Sequence, residues 1–382
     1  MTVANLVREY QQCTVCVMDT SDAEIAFDEA GRCEHCARAE RLLRLLPDSV
    51  AEGRSRMERL AASIKNRAPD AEYHCVVGLS GGVDSSYVAW LAHQAGLRVL
   101  AVHLDNGWNT EIAVSNIHAI CERLDFELAT LVIDWEEFRD LQRSFLLASV
   151  IDVELVTDHA IFASMIQLAK KYDVPVILSG SNLATEAIMP RTWAWPKQDR
   201  RNIVAIHKRF GSVPLRTFPL CGVWRWGLLR YAPWPPRYVA VLNEVPYRRT
   251  AAIEELRTEV GWREYGEKHH ESVFTRYYQC GILPTKFGVD KRHAHLSNLI
   301  VNGEITREAA LAELSRPPCP PDVLADDEAY VMKKLGFSRD ELDAILGAAP
   351  VPHDAFPSSK FVFGLLTGAR ERARAKASRA SA

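Results

Sequence analysis

No uninterrupted apolar run in this sequence approaches the ~20 residues that a membrane-spanning helix requires. Arginines break even the richest stretch, "WRWGLLRYAPWPPRYVAVL". The opening segment "MTVANLVREYQQC" carries charges and no apolar core, so no secretory signal is expected there. Excess charge of one sign is also lacking: 46 Lys and Arg stand against 49 Asp and Glu. That balance gives no general attraction to nucleic acid or to an anionic membrane. No internal repeat is visible, and a chain of 382 residues is too large to need disulfide staples. These absences lead us to expect a cytoplasmic globular protein of two or three domains, with no nucleic-acid or membrane partner.

Cysteine is present in an odd number, nine, and four of the nine cluster as Cys13-x2-Cys16 and Cys33-x2-Cys36. Two such knuckles match zinc-ribbon spacing, in which each tight turn presents two thiolates to one tetrahedral ion. A closed four-thiolate shell has no open position, so the expected metal is structural Zn2+. An iron–sulfur cluster also takes four thiolates, and bare thiols are the third alternative. Cys75, Cys121, Cys221, Cys280 and Cys319 are scattered and read as small buried apolar residues.

From residue 73 to about 180, β-branched runs alternate with amphipathic stretches: "YHCVVGLS", then a helix over 84–96, "RVLAVHLD", "IAVSNIHAICERLD", "ELATLVID", a helical region to Lys171, and "VPVILSG". Such alternation predicts βαβ units on a parallel sheet, an α/β fold, with "RYVAVLNE" at 237–244 as a fifth strand. The expected domains are the cysteine ribbon at 1–46, an α/β domain at 47–245 and a helical domain at 246–350. An extension at 351–382 follows, with a frayed basic end. Between 190 and 236 periodicity gives way to Trp, Pro and Arg, as expected of a lid, binding loop or docking surface.

The most informative stretch is "VVGLSGGVDSSYVAW", residues 76–90, a strand, a glycine turn and the start of a helix. Gly81 and Gly82 free backbone N–H groups to face an anion, and the helix N-terminus points at the same place. Ser80, Ser85 and Ser86 add hydroxyls, and Asp84 can cap the helix or orient a metal-bound phosphate. Neither the lysine of a G-x4-G-K-[ST] loop nor a G-x-G-x-x-G pattern is present.

Ser80-Gly81-Gly82-Val83-Asp84-Ser85-Ser86 resembles the loop of the PP-loop ATP pyrophosphatases. The resemblance implies ATP cleavage between its α and β phosphates, with transfer of AMP to a substrate oxygen and Mg2+ on the departing pyrophosphate. It makes His103, Leu104 and Asp105, at the end of "AVHLDNG", candidates for the adenosine edge. In "ILSGSNLATE", Gly180 would allow close nucleotide approach and Glu186 could bind Mg2+. The expected fold is thus the Rossmann-like PP-loop sheet with a four-cysteine ribbon and a helical C-terminal region.

Longer blocks, among them "CTVCVMDTSDAEIAFDEAGRCEHC", "TDHAIFA" and "HESVFTRYYQCGILPTKFGVDKRHAHLSNLIVNGEITREAAL", look like the N-acetyl sugar amidotransferases of bacterial surface-polysaccharide and nonulosonic-acid pathways. That resemblance runs from about residue 13 to 346. It implies conversion of a sugar acetamido group, on a nucleotide-activated sugar or a nonulosonic acid, to an acetamidino group. Adenylylation of the amide oxygen would be followed by attack of ammonia. No glutaminase motif is present, since Cys221 and Cys280 lack a flanking glycine elbow. The ammonia is therefore expected from a separate glutaminase subunit and its cyclase-like barrel partner, similar to the pair used in histidine biosynthesis.

Polyphosphate chemistry needs cations that the loop lacks, and Arg276 and Lys286 are the expected sources. Lys268, His269, Glu271, Asp290, Lys291, Arg292 and His295 lie in the same blocks. Asp158 and His159 are of the proton-handling types wanted near ammonia or the imidate; a helix-capping aspartate beside a core histidine is the alternative. Two rival functions stand beside this one. One is a tRNA-modifying PP-loop enzyme whose ribbon grips RNA; the other is a catalytically silent nucleotide-binding scaffold.

Overall fold

The computed structural model describes residues 9–222, 236–265 and 271–362. Lys268, His269, part of the Trp-rich segment and the basic tail lie outside the described residues. Among those described, no helix is long and apolar enough to cross a membrane.

Five parallel strands form the sheet: β1 (Cys75–Gly78), β2 (Val99–Asp105), β3 (Glu127–Val132), β4 (Val176–Ser179) and β5 (Arg237–Ala240), in the order β3-β2-β1-β4-β5. The fifth strand is shorter than its apolar run, because Val241–Glu244 closes into a 3-10 turn. Alternation sends Cys75 and Val77 to one face and Val76 to the other. The first face is covered by α2 (Val50–Lys65), α3 (Val83–Gln94) and α4 (Glu111–Leu124), and the second by α6 (Leu155–Lys171). Preceding α6 is α5 (Trp135–Leu147); short α7 (Leu183–Glu186) and α8 (Arg200–Phe210) follow β4.

Helix α9 (Arg249–Val260) buries Ala252, Ile253 and Leu256 in the core shared with α3 and α4. It therefore sits with the sheet rather than with the helices that follow it. Those helices are α10 (Val273–Tyr277), a π-helical stretch (Tyr278–Phe287), α11 (Arg292–Val301), α12 (Arg307–Leu314), α13 (Pro321–Leu335) and α14 (Arg339–Gly347). Pro284 lies within the π-helical stretch, where a missing N–H and a bulky ring disturb the usual helical ladder.

The cysteine knuckles precede and begin α1 (Glu34–Leu43), and all four cysteines are buried in the same core as Phe274, Tyr278 and Ala294 of the C-terminal helices. Polar bonds fasten the two regions together. Arg307 donates to the carbonyls of Cys13 and Cys16, each at 3.0 Å, and Val17 N–H donates to the Ser297 hydroxyl at 3.2 Å. The ribbon thus anchors α11 and α12 rather than standing apart.

Candidate active site

The chain runs from β1 outward to β2 and β3, then returns past β1 to place β4 on its other side. Strand order reverses between β1 and β4, and the crevice beyond their carboxyl ends is where open α/β sheets bind ligands. The loop after β1 lies at that crevice. Gly81 takes φ +81°, and a Cβ there would stand 2.4 Å from the Ala113 carbonyl oxygen. Only glycine fits both constraints. Gly82 caps α3 in extended geometry, and the Ser80 hydroxyl accepts its N–H at 3.1 Å.

A cavity of about 150 Å³ opens over this loop, lined by Ser80, Gly82, Val83, Asp84 and Ser85. Gly180 and Glu186 close one side, Tyr265 and Glu271 the other. Its volume suits a phosphate group rather than a whole nucleotide, since sites for drug-sized molecules start at roughly 300 Å³. Gly180 lets β4 approach closely: its Cβ would lie 3.3 Å from Asp84 Cβ and from Ser85 N. Glu186 Oε2 accepts the Asn182 N–H at 3.3 Å, so this carboxylate is held by its own short helix while facing the cavity.

Two tyrosines that sequence reasoning missed hold the acidic end of the loop. The Tyr247 hydroxyl donates to Asp84 Oδ1. Burial first, and the neighbouring Asp84 carboxylate second, push the Tyr247 phenol far above its ordinary range, so it stays a donor. Tyr265 is raised likewise, by burial and then by Glu271. Both sit in ordinary-looking stretches between recognisable motifs, which left no sequence signal to find them.

Several expected site residues are placed elsewhere. Ser86 is fully buried, and its hydroxyl donates to the Gly82 carbonyl at 2.7 Å, so it braces the loop from behind. His159 is fully buried with both ring nitrogens engaged: Nδ1 with the Lys197 carbonyl at 2.7 Å, and Nε2 accepting the Cys221 N–H at 3.0 Å. Burial lowers its pKa, which makes it a neutral core histidine rather than a proton shuttle. Asp158 is half-exposed and pairs with Lys197 at 2.9 Å, inside the first turn of α6 rather than at its cap.

The two expected cations are engaged away from the loop. Arg276 forms a forked bridge to Asp327, at 2.6 and 2.8 Å. Lys286 donates to the Ile345 and Ala348 carbonyls at the end of α14. Neither lines the loop cavity. His103, Leu104 and Asp105 are at the end of β2 but outside that lining. His103 is held by the Leu79 carbonyl at 3.0 Å and the Asn109 amide at 3.2 Å, and Asp105 accepts the Gly107 N–H at 2.8 Å.

The four cysteine sulfurs lie within 4.8 Å of one another. Neighbouring pairs stand at 3.6 Å (Cys16–Cys33 and Cys33–Cys36) and 3.8 Å (Cys13–Cys36). A tetrahedral shell with metal–sulfur bonds of about 2.3 Å has edges of roughly 3.8 Å, so the set fits a single four-coordinate ion. Backbone N–H groups of Cys16 and Cys33 point at Cys13 Sγ, at 3.4 and 3.2 Å.

Residues 74–171, which include the loop, match the family of the queuosine biosynthesis protein QueC. Residues 271–370 match the C-terminal domain of WbpG-like LPS biosynthesis proteins. The loop cavity draws on both matched segments, through Ser80–Ser85 and Glu271. The chain thus carries one segment similar to a PP-loop family and another similar to the WbpG-like C-terminal domain. The tRNA-specific 2-thiouridylase MnmA of Blochmanniella pennsylvanica is 32% identical over 80 residues, 19% of this chain and 22% of that protein. The match thus spans about a fifth of that relative's length. Among solved structures, NMN synthetase from Francisella tularensis is 15% identical, with a TM-score of 0.37, covering 75% of this chain and 97% of that one. The NH3-dependent NAD synthetase from Campylobacter jejuni is 13% identical, with a TM-score of 0.31, covering 78% and 98%.

Proposed function

We propose that this PP-loop protein is an ATP-dependent amidotransferase that converts a sugar acetamido group to an acetamidino group in surface-polysaccharide biosynthesis. The observation that carries the reading is the composite cavity: a loop suited to pyrophosphate faces the Glu271 carboxylate, which begins the segment similar to the WbpG-like domain. An amide carbonyl is a poor electrophile, because nitrogen donates into it. Transfer of AMP to the amide oxygen releases pyrophosphate and gives an O-adenylyl imidate. Ammonia then adds at the imidate carbon, a proton is lost, and AMP departs to leave the amidine.

Gly82, Val83 and the hydroxyls of Ser80 and Ser85 are placed to hold the leaving pyrophosphate, and Asp84 and Glu186 are the carboxylates that would hold Mg2+. Bound there, Mg2+ supplies neutralisation of the charge that develops on pyrophosphate. Positioning and electrostatics then carry most of the rate, as in phosphoryl transfer generally.

All nine cysteines are buried, and burial pushes the Cys280 thiol up to about 12. These cysteines therefore make poor glutaminase nucleophiles. In this reading ammonia arrives from a separate glutaminase subunit with a cyclase-like barrel partner. The four-cysteine site is read as structural Zn2+.

The direct test supplies ATP, Mg2+, ammonium and a panel of acetamido sugars, with AMP and sugar mass as readouts. The expected product is AMP with a sugar lighter by the difference between oxygen and NH. Formation of ADP would overturn the reading. The thiouridylase similarity supports a second reading, adenylylation of tRNA; RNA-dependent AMP formation with no response to sugars would favour it.

A further inference from the structure

Helix α7 (Leu183–Glu186) is a single turn, too short to hold its position by its own hydrogen bonds. It nevertheless carries Glu186, the carboxylate that closes one side of the loop cavity. Irregular chain leads into it from β4 and away from it toward α8, apart from a 3-10 turn at Arg191–Trp193. Its placement is set by asparagines. Asn182 caps the helix: its side chain accepts the Thr185 N–H at 2.8 Å, while its own N–H donates to Glu186 Oε2 at 3.3 Å. Asn243, in the turn after β5, accepts the Leu183 N–H at 2.8 Å. Asn298, on α11, grips Ile188 in both directions. Its Oδ1 accepts the Ile188 N–H at 2.8 Å, and its Nδ2 donates to the Ile188 carbonyl at 2.9 Å.

Asn298 and Ile188 are both buried, so breaking this grip would leave buried polar groups without partners. Nδ2 also donates to the Ala294 carbonyl of its own helix at 2.8 Å, which fixes the plane of the amide. The preceding residue, Ser297, faces the cysteine ribbon instead, where its hydroxyl accepts the Val17 N–H. Adjacent side chains of α11 thus hold the ribbon and the end of α7. Asn298 lies in the segment similar to the WbpG-like domain, whereas Glu186 lies outside both segments that match known families. The C-terminal helices therefore reach the cavity indirectly, through Asn298 and Ile188, as well as through Glu271.

We propose that Asn243 and Asn298 are positioning residues that clamp α7 from either end and so fix the Glu186 carboxylate against the phosphate loop. This rests on the reading of Glu186 as a carboxylate that would hold Mg2+. Neither asparagine lines the loop cavity, so each acts only through the backbone of the α7 segment. A carboxylate carried on a loose turn would lose freedom each time it met the ion, and that ordering weakens binding. Partners that orient metal-binding groups are worth about 10–100-fold in metal affinity. The clamp therefore shows in the Mg2+ requirement rather than in the affinity for nucleotide alone.

The test measures binding of α,β-methylene-ATP to the full chain by titration calorimetry, without Mg2+ and across a range of Mg2+ concentrations. Asn298→Leu is expected to raise the Mg2+ concentration at half-maximal effect by about tenfold or more, and Asn243→Ala by about threefold. Affinity without Mg2+ should stay within about threefold of wild type in both, because the loop itself is untouched. Ser297→Ala is the control, since it loosens the neighbouring contact of the same helix without touching α7. It should lower the melting temperature, as Asn298→Leu does, yet leave the Mg2+ requirement unchanged. In a Glu186→Gln background the asparagine variants should add no further shift, because they act on the same group. An equal shift in Ser297→Ala, or shifts that add in full to that of Glu186→Gln, would overturn the clamp. If Asn298→Leu does not fold, Asn243→Ala, which gives up one half-buried contact, decides the matter alone. A shifted Mg2+ requirement with no amidine from any acetamido sugar would sink the amidotransferase reading and leave the clamp standing. Amidine formation with an unchanged Mg2+ requirement in the asparagine variants would do the reverse.

Discussion

The indole N–H of Trp262 donates to the carbonyl oxygen of Gly81 at 2.9 Å, from a residue 181 positions further along the chain. The Asn116 side chain joins it, donating to the same carbonyl at 3.3 Å while its own oxygen accepts the Arg263 N–H at 2.9 Å. The left-handed turn of the phosphate loop is therefore fixed from outside, by the segment that follows α9. This explains how a loop without a lysine keeps its shape: the carbonyl of Gly81 is turned inward and anchored.

Gly81→Ala should be the most damaging small change in the loop. It adds strain at φ +81° and drives Cβ to 2.4 Å from a backbone oxygen that cannot move aside. Left-handed strain alone costs about 1–2 kcal/mol, and the clash adds to it. We expect AMP formation to fall by about a hundredfold or more, since misplacement of a reacting group by a fraction of an ångström has effects of that order. Activity within a few-fold of wild type, measured as AMP released per enzyme, would show that the loop does not position phosphate.

Arg276 and Lys286 should behave as structural residues. Arg276 is mostly buried against a 6% exposed Asp327, and removing one partner of such a pair costs about 3 kcal/mol. Lys286 donates to carbonyls at the end of α14, Ala348 at 2.6 Å, a contact that a helix C-terminus makes worth about 1 kcal/mol. Arg276→Met and Lys286→Met should lower the melting temperature in that order. The KM for ATP should stay near wild type in both. A raised KM without a change in melting would return them to the phosphate site.

The sheet was legible because β-branched runs and helix periodicity alternate cleanly from residue 73 to 180, the pattern of βαβ units on a parallel sheet. The loop was legible because two glycines between a strand and a helix have few uses. What could not be read was partnership at long range. Nothing near Arg276 in sequence shows that Asp327 awaits it. Nothing near His159 shows that the Lys197 carbonyl and the Cys221 N–H close over its ring. Tyr247 belongs to "PYRRT", which has no motif at all, yet the fold brings its hydroxyl to Asp84 of the loop.

The cysteine site should hold one ion, and that ion should stabilise more than the ribbon. Arg307, Ser297 and His293 all bind the backbone of the first knuckle, His293 through the Val17 carbonyl at 2.6 Å. Cys16→Ser, or a strong chelator, should therefore lower the melting temperature and loosen α11 and α12. Structural four-thiolate zinc sites contribute on the order of 10 kcal/mol to folding of small domains, so a shift of several degrees is expected here. Elemental analysis should give about one zinc per chain and no absorbance from iron and sulfide. A coloured protein with several irons would contradict the sulfur spacing.

Stability should fall on mild acidification, with His353 as a main cause. This ring is 3% exposed and stacks on Trp195. It bonds Asn202 Oδ1 through Nδ1 at 2.8 Å, and Nε2 accepts the Asp152 N–H at 3.2 Å. Protonation would place an N–H at Nε2 against another N–H. Burial lowers its pKa to about 4; Asp152 opposes that shift and the Lys197 ammonium adds to it. The unfolded chain takes up this proton near its ordinary pKa of about 6.5, while the folded chain does not until about 4. The stabilisation is therefore complete above about pH 6.5, declines as pH falls and is gone below about pH 4, a loss of about 3 kcal/mol. His353→Gln should be less stable at neutral pH but show a flatter melting profile between about pH 7 and pH 4.5. A variant whose melting temperature falls as steeply as wild type across that window would assign the acid sensitivity to other groups, of which the buried His159 is the next to test.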